Sequence, residues 1–109
     1  MPTAKTNIIT RNFLLGFIRL HMLYHASQDA IFGLDMIREL ATHGYQLSPG
    51  TLYPILHGME RDGFLRSEKQ IVDGKIRKNY YITNEGKKAL QDAIIKVRVL
   101  VDEVGITSS

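Results

Sequence analysis

The sequence predicts a small, mainly α-helical (α+β) domain that carries one β-hairpin, and three observations lead to this prediction. The chain has 109 residues, which is enough for one hydrophobic core. Apolar residues recur at helical spacing in four segments. Between the third and fourth segments, two stretches of alternating residues flank Asp73-Gly74, a dipeptide that favours the two-residue turn of a hairpin. We therefore expect one domain over residues 1–109, in the order helix, helix, helix, hairpin, helix.

The composition excludes several classes of protein. Apolar residues make up 44% of the chain and charged residues 23%, a balance typical of a globular protein. The chain has no cysteine, which excludes disulfides, thiolate metal sites and cysteine nucleophiles. No apolar run approaches the ~20 residues of a membrane span, and Arg19 and His21 interrupt any secretory signal. We therefore expect a cytoplasmic protein with no membrane partner.

The first predicted helix, at about residues 8–26, is apolar on nearly every side. From Ile8 to Tyr24, 11 of 17 residues are apolar or tyrosine. A helix of this kind must be covered on more than one face, and a chain this short cannot easily enclose it alone. The pattern predicts that a second copy of the chain covers it, with Phe13, Phe17 and Leu20 in the contact.

The next two predicted helices are short and are joined by a tight turn. The second runs from about Ala30 to His43 and ends where Gly44 favours a left-handed backbone. The third begins at Ser48, a good N-cap, and Pro49 suits its first position. Its buried face is predicted from the spacing i, i+3, i+4, i+7, which selects Leu52, Ile55, Leu56 and Met59.

Residues 64–72 and 75–83 alternate as strands do, and the outer row near their turn is basic. A last helix at about 84–104 is predicted, with Thr83 or Asn84 as its cap. Its apolar residues follow heptad spacing for about two heptads, which favours packing on a partner over packing on its own domain. This seam consists of Leu90, Ile94, Val97, Val101 and Val104.

The predicted order of elements is typical of a winged helix-turn-helix, with the basic hairpin as the wing. Basic residues exceed acidic ones in two regions, residues 1–24 and residues 64–82. A basic patch is the electrostatic footprint of a phosphate-bearing partner. The pattern therefore predicts a protein that binds double-stranded DNA, with the first and last helices left for dimerisation.

Two runs of the sequence resemble a known family. Residues 43–56 are HGYQLSPGTLYPIL, and residues 77–86 are RKNYYITNEG. With the rest of residues 31–90, they resemble the PadR family of bacterial transcriptional regulators, whose hallmarks are HGY-x-LSPGTLYP-x-L and RKYYRLTEEG. Phe32-Gly33-Leu34 departs from the Tyr-Gly-Tyr frequent in the family, and Asn79 stands where an aromatic residue is common. The single short C-terminal helix resembles the compact branch of the family.

The resemblance implies a transcriptional regulator, usually a repressor, that binds an inverted-repeat operator as a homodimer. The helix from Ser48 would enter the major groove, and the wing would contact phosphates. The expected DNA-binding residues are Ser48, Gly50, Thr51, Tyr53, His57, Lys75, Arg77 and Lys78. The expected dimer interface consists of Phe13, Phe17, Leu20, Leu90, Ile94, Val97 and Val101. A small-molecule effector between the first and last helices is a further implied partner, although the chain has no tryptophan to line an aromatic pocket.

Several of these residues also have a purely structural interpretation. Ser48 would serve as a helix cap, Tyr53 as a partly buried helix aromatic and His57 as a plain surface residue. Lys78 shares strand parity with Tyr80 and would then lie along the inner side of the hairpin. The third helix has no arginine or lysine before Arg61, so sequence specificity is expected from Thr51, Tyr53 and groove shape.

The sequence favours DNA binding over other functions. We expect no enzyme and no cofactor, because the sequence has no nucleophile elbow, no glycine-rich phosphate loop and no facing carboxylate pair. His21 and His25 are spaced i, i+4, which suits a transition metal, but no other ligand lies near them in sequence. We interpret them as interface histidines without a metal, and a metal-responsive regulator is one alternative. A winged helix that binds a protein is the other alternative, and the basic wing argues against it.

Overall fold

The computed structural model describes residues 4–105, with side chains from residue 7 onward. Within these residues it contains four helices and one antiparallel two-stranded sheet. This confirms the predicted mainly α fold class with one hairpin. The elements are α1 (Ala4–Gln28), α2 (Gly33–Thr42), α3 (Pro49–Arg61), β1 (Leu65–Val72), β2 (Lys75–Ile82) and α4 (Asn84–Glu103).

Helix α1 extends beyond the predicted residues 8–26 at both ends. It has no internal proline to stop it, and Gly16 alone weakens it. One side of α1 is buried in the core through residues that include Ile18 and Met22. The other sides expose large apolar side chains at Ile8, Ile9, Phe13, Leu14 and Tyr24. The single chain therefore covers only part of this helix, as its apolar pattern predicts.

Helix α2 begins at Gly33, three residues later than the predicted start near Ala30. The reason is that Ile31 pairs with the hairpin instead of entering the helix. Its N–H donates to the carbonyl of Tyr80 at 2.9 Å, and its carbonyl accepts from the N–H of Tyr80 at 2.7 Å. This bridge links the segment after α1 to strand β2. At the other end of α2, Gly44 has a φ of +88°, the left-handed conformation that its position predicts.

Helix α3 has the predicted buried face, since Leu52, Ile55, Leu56 and Met59 are all buried. Ser48 is the N-cap residue, and its backbone carbonyl accepts from the N–H groups of Thr51 and Leu52 at 3.0 Å each. Its hydroxyl makes no capping hydrogen bond with any described residue, which differs from the prediction. That hydroxyl instead lies 3.3 Å from the hydroxyl of Thr51.

The hairpin turn has the predicted geometry, because Asp73 and Gly74 both have positive φ angles of 52° and 76°. One face of the sheet is buried at its base through Leu65 and Tyr80. At the base of the hairpin, the Thr83 hydroxyl accepts from the Gly86 N–H at 3.0 Å and caps α4, as predicted. The same hydroxyl donates to the carbonyl of Gly63 at 2.6 Å.

The core lies where α1, α2 and α3 meet the base of the hairpin. Its largest fully buried side chains are Tyr80, Met22, Leu40, Leu52, Leu56 and Leu65. The outer half of α4 and its C-cap residue contribute little to the core, since Ile94, Ile95, Val97, Val99, Leu100 and Val104 are exposed. Among residues 4–105, no helix combines the length and the apolarity that crossing a membrane requires.

Candidate nucleic-acid interface

The N-terminal half of α3 faces solvent on the side opposite the core. Ser48, Gly50, Thr51 and His57 are exposed, as expected for residues that reach a partner. In the first turn of α3, Thr51 and Leu52 already donate to the Ser48 carbonyl and Pro49 has no N–H, which leaves the N–H of Gly50 for a phosphate oxygen. This end of α3 can therefore approach a DNA backbone closely.

Tyr53 is half-buried, and its ring packs against the first residue of α2. A Cβ atom added to Gly33 would lie 2.6 Å from the ring and the phenol oxygen of Tyr53. Gly33 therefore makes room for the tyrosine. The ring centroid of His57, one turn further along α3, lies 6.2 Å from that of Tyr53. Tyr53 therefore packs as a partly buried helix aromatic, as its structural interpretation predicts, and one side of the residue remains at the surface.

The three basic residues predicted on the wing are grouped with Tyr53 in space. Lys75, Arg77 and Lys78 line one cavity of about 410 Å³ between the hairpin, the start of α2 and α3. Tyr53 lines the same cavity from the side of α3. The fold therefore combines the exposed helix N-terminus and the basic wing in one surface with a groove between them.

Arg77 contacts an aromatic residue, Phe32, that no pattern in the sequence identifies as part of the site. Its guanidinium carbon lies 4.0 Å from the ring centroid of Phe32, just before α2. A cation over an aromatic face is stabilised by about 0.5–1 kcal/mol when it is partly exposed. No sequence pattern pairs Phe32 with Arg77, because the pairing depends on how the wing packs beside α2.

Lys78 lies on the inner face of the hairpin, as its parity with Tyr80 suggested. Its ammonium nitrogen is 3.4 Å from a carboxylate oxygen of Glu60 on α3. The hydrogen bond from the Ser67 hydroxyl to Glu60, followed by the charge of Lys78, lowers the pKa of the Glu60 carboxyl. Part of the positive charge of Lys78 is therefore compensated within the chain, which leaves Lys75 and Arg77 as the less compensated cations of the wing.

The contacts of Glu60 predict that the stability of the fold depends on pH. Because folding lowers the pKa of the Glu60 carboxyl, its carboxylate stabilises the fold fully at pH values above the ordinary pKa of 4.5. This stabilisation disappears as the pH falls through the lower pKa of Glu60 in the folded protein. We expect Glu60→Gln to lower the melting temperature at neutral pH and to match the wild type in strong acid. Thermal melts across the acid range measure this difference.

Glu68→Gln is the matched control, because Glu68 is exposed on β1 and pairs with Arg66 at 2.7 Å. Surface pairs of this kind contribute about 0–1 kcal/mol. A loss in Glu60→Gln that is independent of pH, or equal to the loss in Glu68→Gln, would show that Glu60 does not act through its charge.

The predicted dimer residues form an apolar surface across α1 and α4. Phe17 and Leu20 of α1 line one cavity together with Leu90 and Ile94 of α4. The ring of Phe13, 60% exposed, stacks on Phe17 at 5.6 Å. Val97 is exposed and Val101 is half-buried further along α4, whereas Leu90 is already buried within its own chain.

Comparison with known proteins identifies the family of this fold and interface. A model of the transcriptional regulator PadR-like family matches residues 22–92. The chain belongs to the PadR-like family of transcriptional regulators. A curated relative, transcriptional regulator Rv3488 of Mycobacterium tuberculosis (strain ATCC 25618 / H37Rv), is 44% identical over 94 residues, which are 86% of this chain and 88% of that protein.

Solved structures of PadR regulators share the architecture. The PadR family transcriptional regulator from Eggerthella lenta DSM 2243 has a TM-score of 0.69 at 30% identity, over 94% of this chain and 95% of that chain. The PadR family regulator from Clostridium difficile R20291 has a TM-score of 0.75 at 23% identity, over 82% and 95% of the two chains, and supports the fold alone. PadR proteins regulate transcription by binding DNA and are not enzymes, which agrees with both expectations from the sequence.

Proposed function

We propose that this PadR protein is a repressor that binds an inverted-repeat operator as a homodimer in the cytoplasm. The observation that supports it most directly is the grouping of Tyr53 and the three wing cations around one groove beside the exposed start of α3. In this proposal α3 lies in the major groove and the wing lies on the phosphates. The proposed contacts are Ser48, Gly50, Thr51, Tyr53, His57, Lys75, Arg77 and Lys78.

Each part of this surface has a distinct role in the proposal. Lys75 and Arg77 bind phosphates, so they contribute affinity that is independent of sequence. Before its last residue, Arg61, the exposed face of α3 offers hydroxyl groups and an aromatic ring, with no guanidinium to bind guanine bidentately. Thr51 and Tyr53 would therefore contact base edges and thymine methyl groups, and the remaining specificity comes from groove shape.

The homodimer is supported by the apolar surface on α1 and α4. A second copy packed on Phe13, Phe17, Ile94 and Val97 would cover side chains that one chain leaves in water. The same packing would set the two α3 helices about one DNA turn, ~34 Å, apart. The cavity between α1 and α4 is where a small apolar effector would bind.

A fluorescence-anisotropy titration tests the proposed function. The probe is the duplex upstream of the protein's own gene, with a shuffled duplex as the control, at low and moderate salt. We expect the native duplex to bind more than about 10³-fold tighter than the shuffled one, with affinity that falls steeply as salt rises. Weak and equal binding to both duplexes would contradict a sequence-specific regulator.

Replacement of Arg77 by alanine tests the role of the wing. Because Arg77 is proposed to bind a phosphate, we expect Arg77→Ala to weaken native and shuffled duplexes by similar factors. The slope of log affinity against log salt should become shallower by about 1. Anisotropy titrations at several salt concentrations measure both quantities.

Arg66→Ala is the matched control for Arg77→Ala. Arg66 also lies over an aromatic ring, 4.4 Å from the centroid of Tyr81, but it is at the base of the hairpin and does not line the groove with Tyr53. We expect Arg66→Ala to leave DNA affinity nearly unchanged. A loss confined to one DNA sequence, or an equal loss in both variants, would remove Arg77 from its proposed phosphate contact.

A further inference from the structure

Three of the four histidines of the chain lie together, away from the proposed DNA surface. His21 and His25 are one turn apart on α1, and His43 is the C-cap residue that follows α2. One ring nitrogen of each lies within 4.8 Å of the others. The ring centroid of His21 is 4.9 Å from that of His43 and 6.4 Å from that of His25. The packing of α2 on α1 supplies the third imidazole that the sequence alone did not place beside the other two.

A carboxylate completes this cluster. Glu39 lies one helical turn before His43, and its Oε1 atom is 3.6 Å from the Nε2 atoms of both His25 and His43. Asp29 and Asp35 lie close by, on the same cavity as His25 and Glu39. Three imidazoles and one carboxylate together favour a cation, and Arg38, which lines the same cavity, lies 4.0 Å from Asp35.

Internal hydrogen bonding does not account for the arrangement. Among residues 7–105, none of the three imidazoles makes a hydrogen bond, and the distances to Glu39 are too long for one. The cluster is also accessible, since 24% of the His25 side chain and 44% of the His43 side chain are exposed. An ion from solvent can therefore reach nitrogen lone pairs that have no other partner within the described chain.

We propose that His21, His25 and His43 bind a divalent transition-metal ion, with Glu39 as the fourth ligand. Imidazole and carboxylate donors suit Zn²⁺, Co²⁺, Ni²⁺ and Cu²⁺, and the absence of cysteine disfavours soft ions such as Cu⁺. Zinc–nitrogen bonds of about 2.0–2.1 Å place tetrahedral ligands about 3.4 Å apart, so the imidazoles must approach by about 1 Å. Side-chain rotations of all three histidines, not of His43 alone, would have to provide this movement.

The position of the site suggests what the metal does. The ion would join α1, which carries the proposed dimer surface, to the end of α2, which leads through a short turn into α3. Binding would therefore fix α3 relative to the dimer axis. This regulatory consequence depends on the proposed DNA-binding function, whereas the metal site itself does not.

Metal titration of the untagged, chelator-stripped full chain tests the site. We expect Co²⁺ to give the intense visible absorption of a four-coordinate ion, with saturation at one ion per chain, and Zn²⁺ to displace it. His21→Gln and His43→Gln should each weaken metal binding by about 100-fold or more, beyond the typical loss for a residue that only supports a ligand. His57→Gln removes the fourth histidine of the chain and should leave metal affinity unchanged.

Folding is checked separately by circular dichroism in the presence of chelator. All variants should melt alike under that condition, and Zn²⁺ should then raise the melting temperature of the wild type and His57→Gln but not of His43→Gln. Wild-type Co²⁺ binding that is weak and resembles the hydrated ion would overturn the site. Equal metal affinity in the wild type and His43→Gln would also overturn it.

Operator titration with and without Zn²⁺ separates the two proposals. A change in operator affinity that disappears in His43→Gln supports metal regulation. Metal binding with no change in operator affinity would leave the site in place and overturn its regulatory role. If the protein binds one metal ion per chain but binds no duplex, the result contradicts the proposed function and leaves the metal site in place.

Discussion

Ile94→Asp is expected to separate the proposed homodimer into monomers and to remove tight operator binding. Ile94 is 37% exposed in one chain and lines the apolar cavity with Phe17 and Leu20. In the dimer an aspartate there would place a charge in an apolar contact, at a cost of several kcal/mol. In the monomer the same carboxylate reaches water, so the fold survives. Operator affinity should fall by about 100-fold or more, because the two half-sites are no longer bound together.

Sedimentation velocity and operator titration measure the two consequences of Ile94→Asp. Ile95→Asp is the matched control, since Ile95 is the next residue of α4, has the same side chain and is 60% exposed away from the cavity. We expect Ile95→Asp to remain dimeric. Dissociation of Ile95→Asp with an intact Ile94→Asp dimer would place the interface on another face of α4.

Gly86→Ala is expected to give the largest loss of folding stability. Gly86 is buried in the first turn of α4, and an added Cβ would lie 2.7 Å from a side-chain carbon of Ile82 and against the carbonyl of Phe64. That carbonyl accepts a hydrogen bond from the Thr83 N–H, so the backbone cannot yield without disturbing the cap of α4. Overpacking and a weakened cap together correspond to about 3 kcal/mol.

Urea unfolding of the wild type and Gly86→Ala at equal protein concentration measures this loss. Gly16→Ala is the control, because no described atom outside its own helix lies within 4 Å of a Cβ at that exposed position. Alanine there should stabilise α1 by up to about 1 kcal/mol. Equal midpoints for Gly86→Ala and the wild type would show that α4 can shift away from Phe64 at little cost.

Local chemistry determines the parts of the fold that could be predicted from the sequence. The positive φ angles at Asp73 and Gly74, the left-handed Gly44 and the buried face of α3 all depend on residues within a few positions of each other. The predicted start of α2 was wrong because Ile31 pairs with Tyr80, a residue 49 positions further along the chain. Ser48 occupies the predicted cap position, and its hydroxyl is close to that of Thr51.

In the candidate site, too, the sequence predicts features within one element and misses contacts between elements. Periodicity identifies the exposed residues of α3 and the basic face of the wing, because both are repeats within one element. Contacts between different elements bring together Phe32 and Arg77, Glu60 and Lys78, and His43 and His21. No spacing in the sequence encodes these contacts, and each one modifies the chemistry of a residue that the sequence did identify.

The pairing of Ile31 with Tyr80 has a mechanical consequence for the proposed complex. Its two backbone hydrogen bonds connect the segment after α1 to the base of the wing, so they restrict movement of the wing relative to α1, the proposed dimerisation helix. In the proposed dimer, the distance and angle between the two DNA-binding surfaces would then be fixed. One extra base pair between half-sites moves the second by about 3.4 Å and turns it by about 34°. A rigid dimer cannot follow that displacement, so we expect operator affinity in the proposed complex to depend on the length of the spacer.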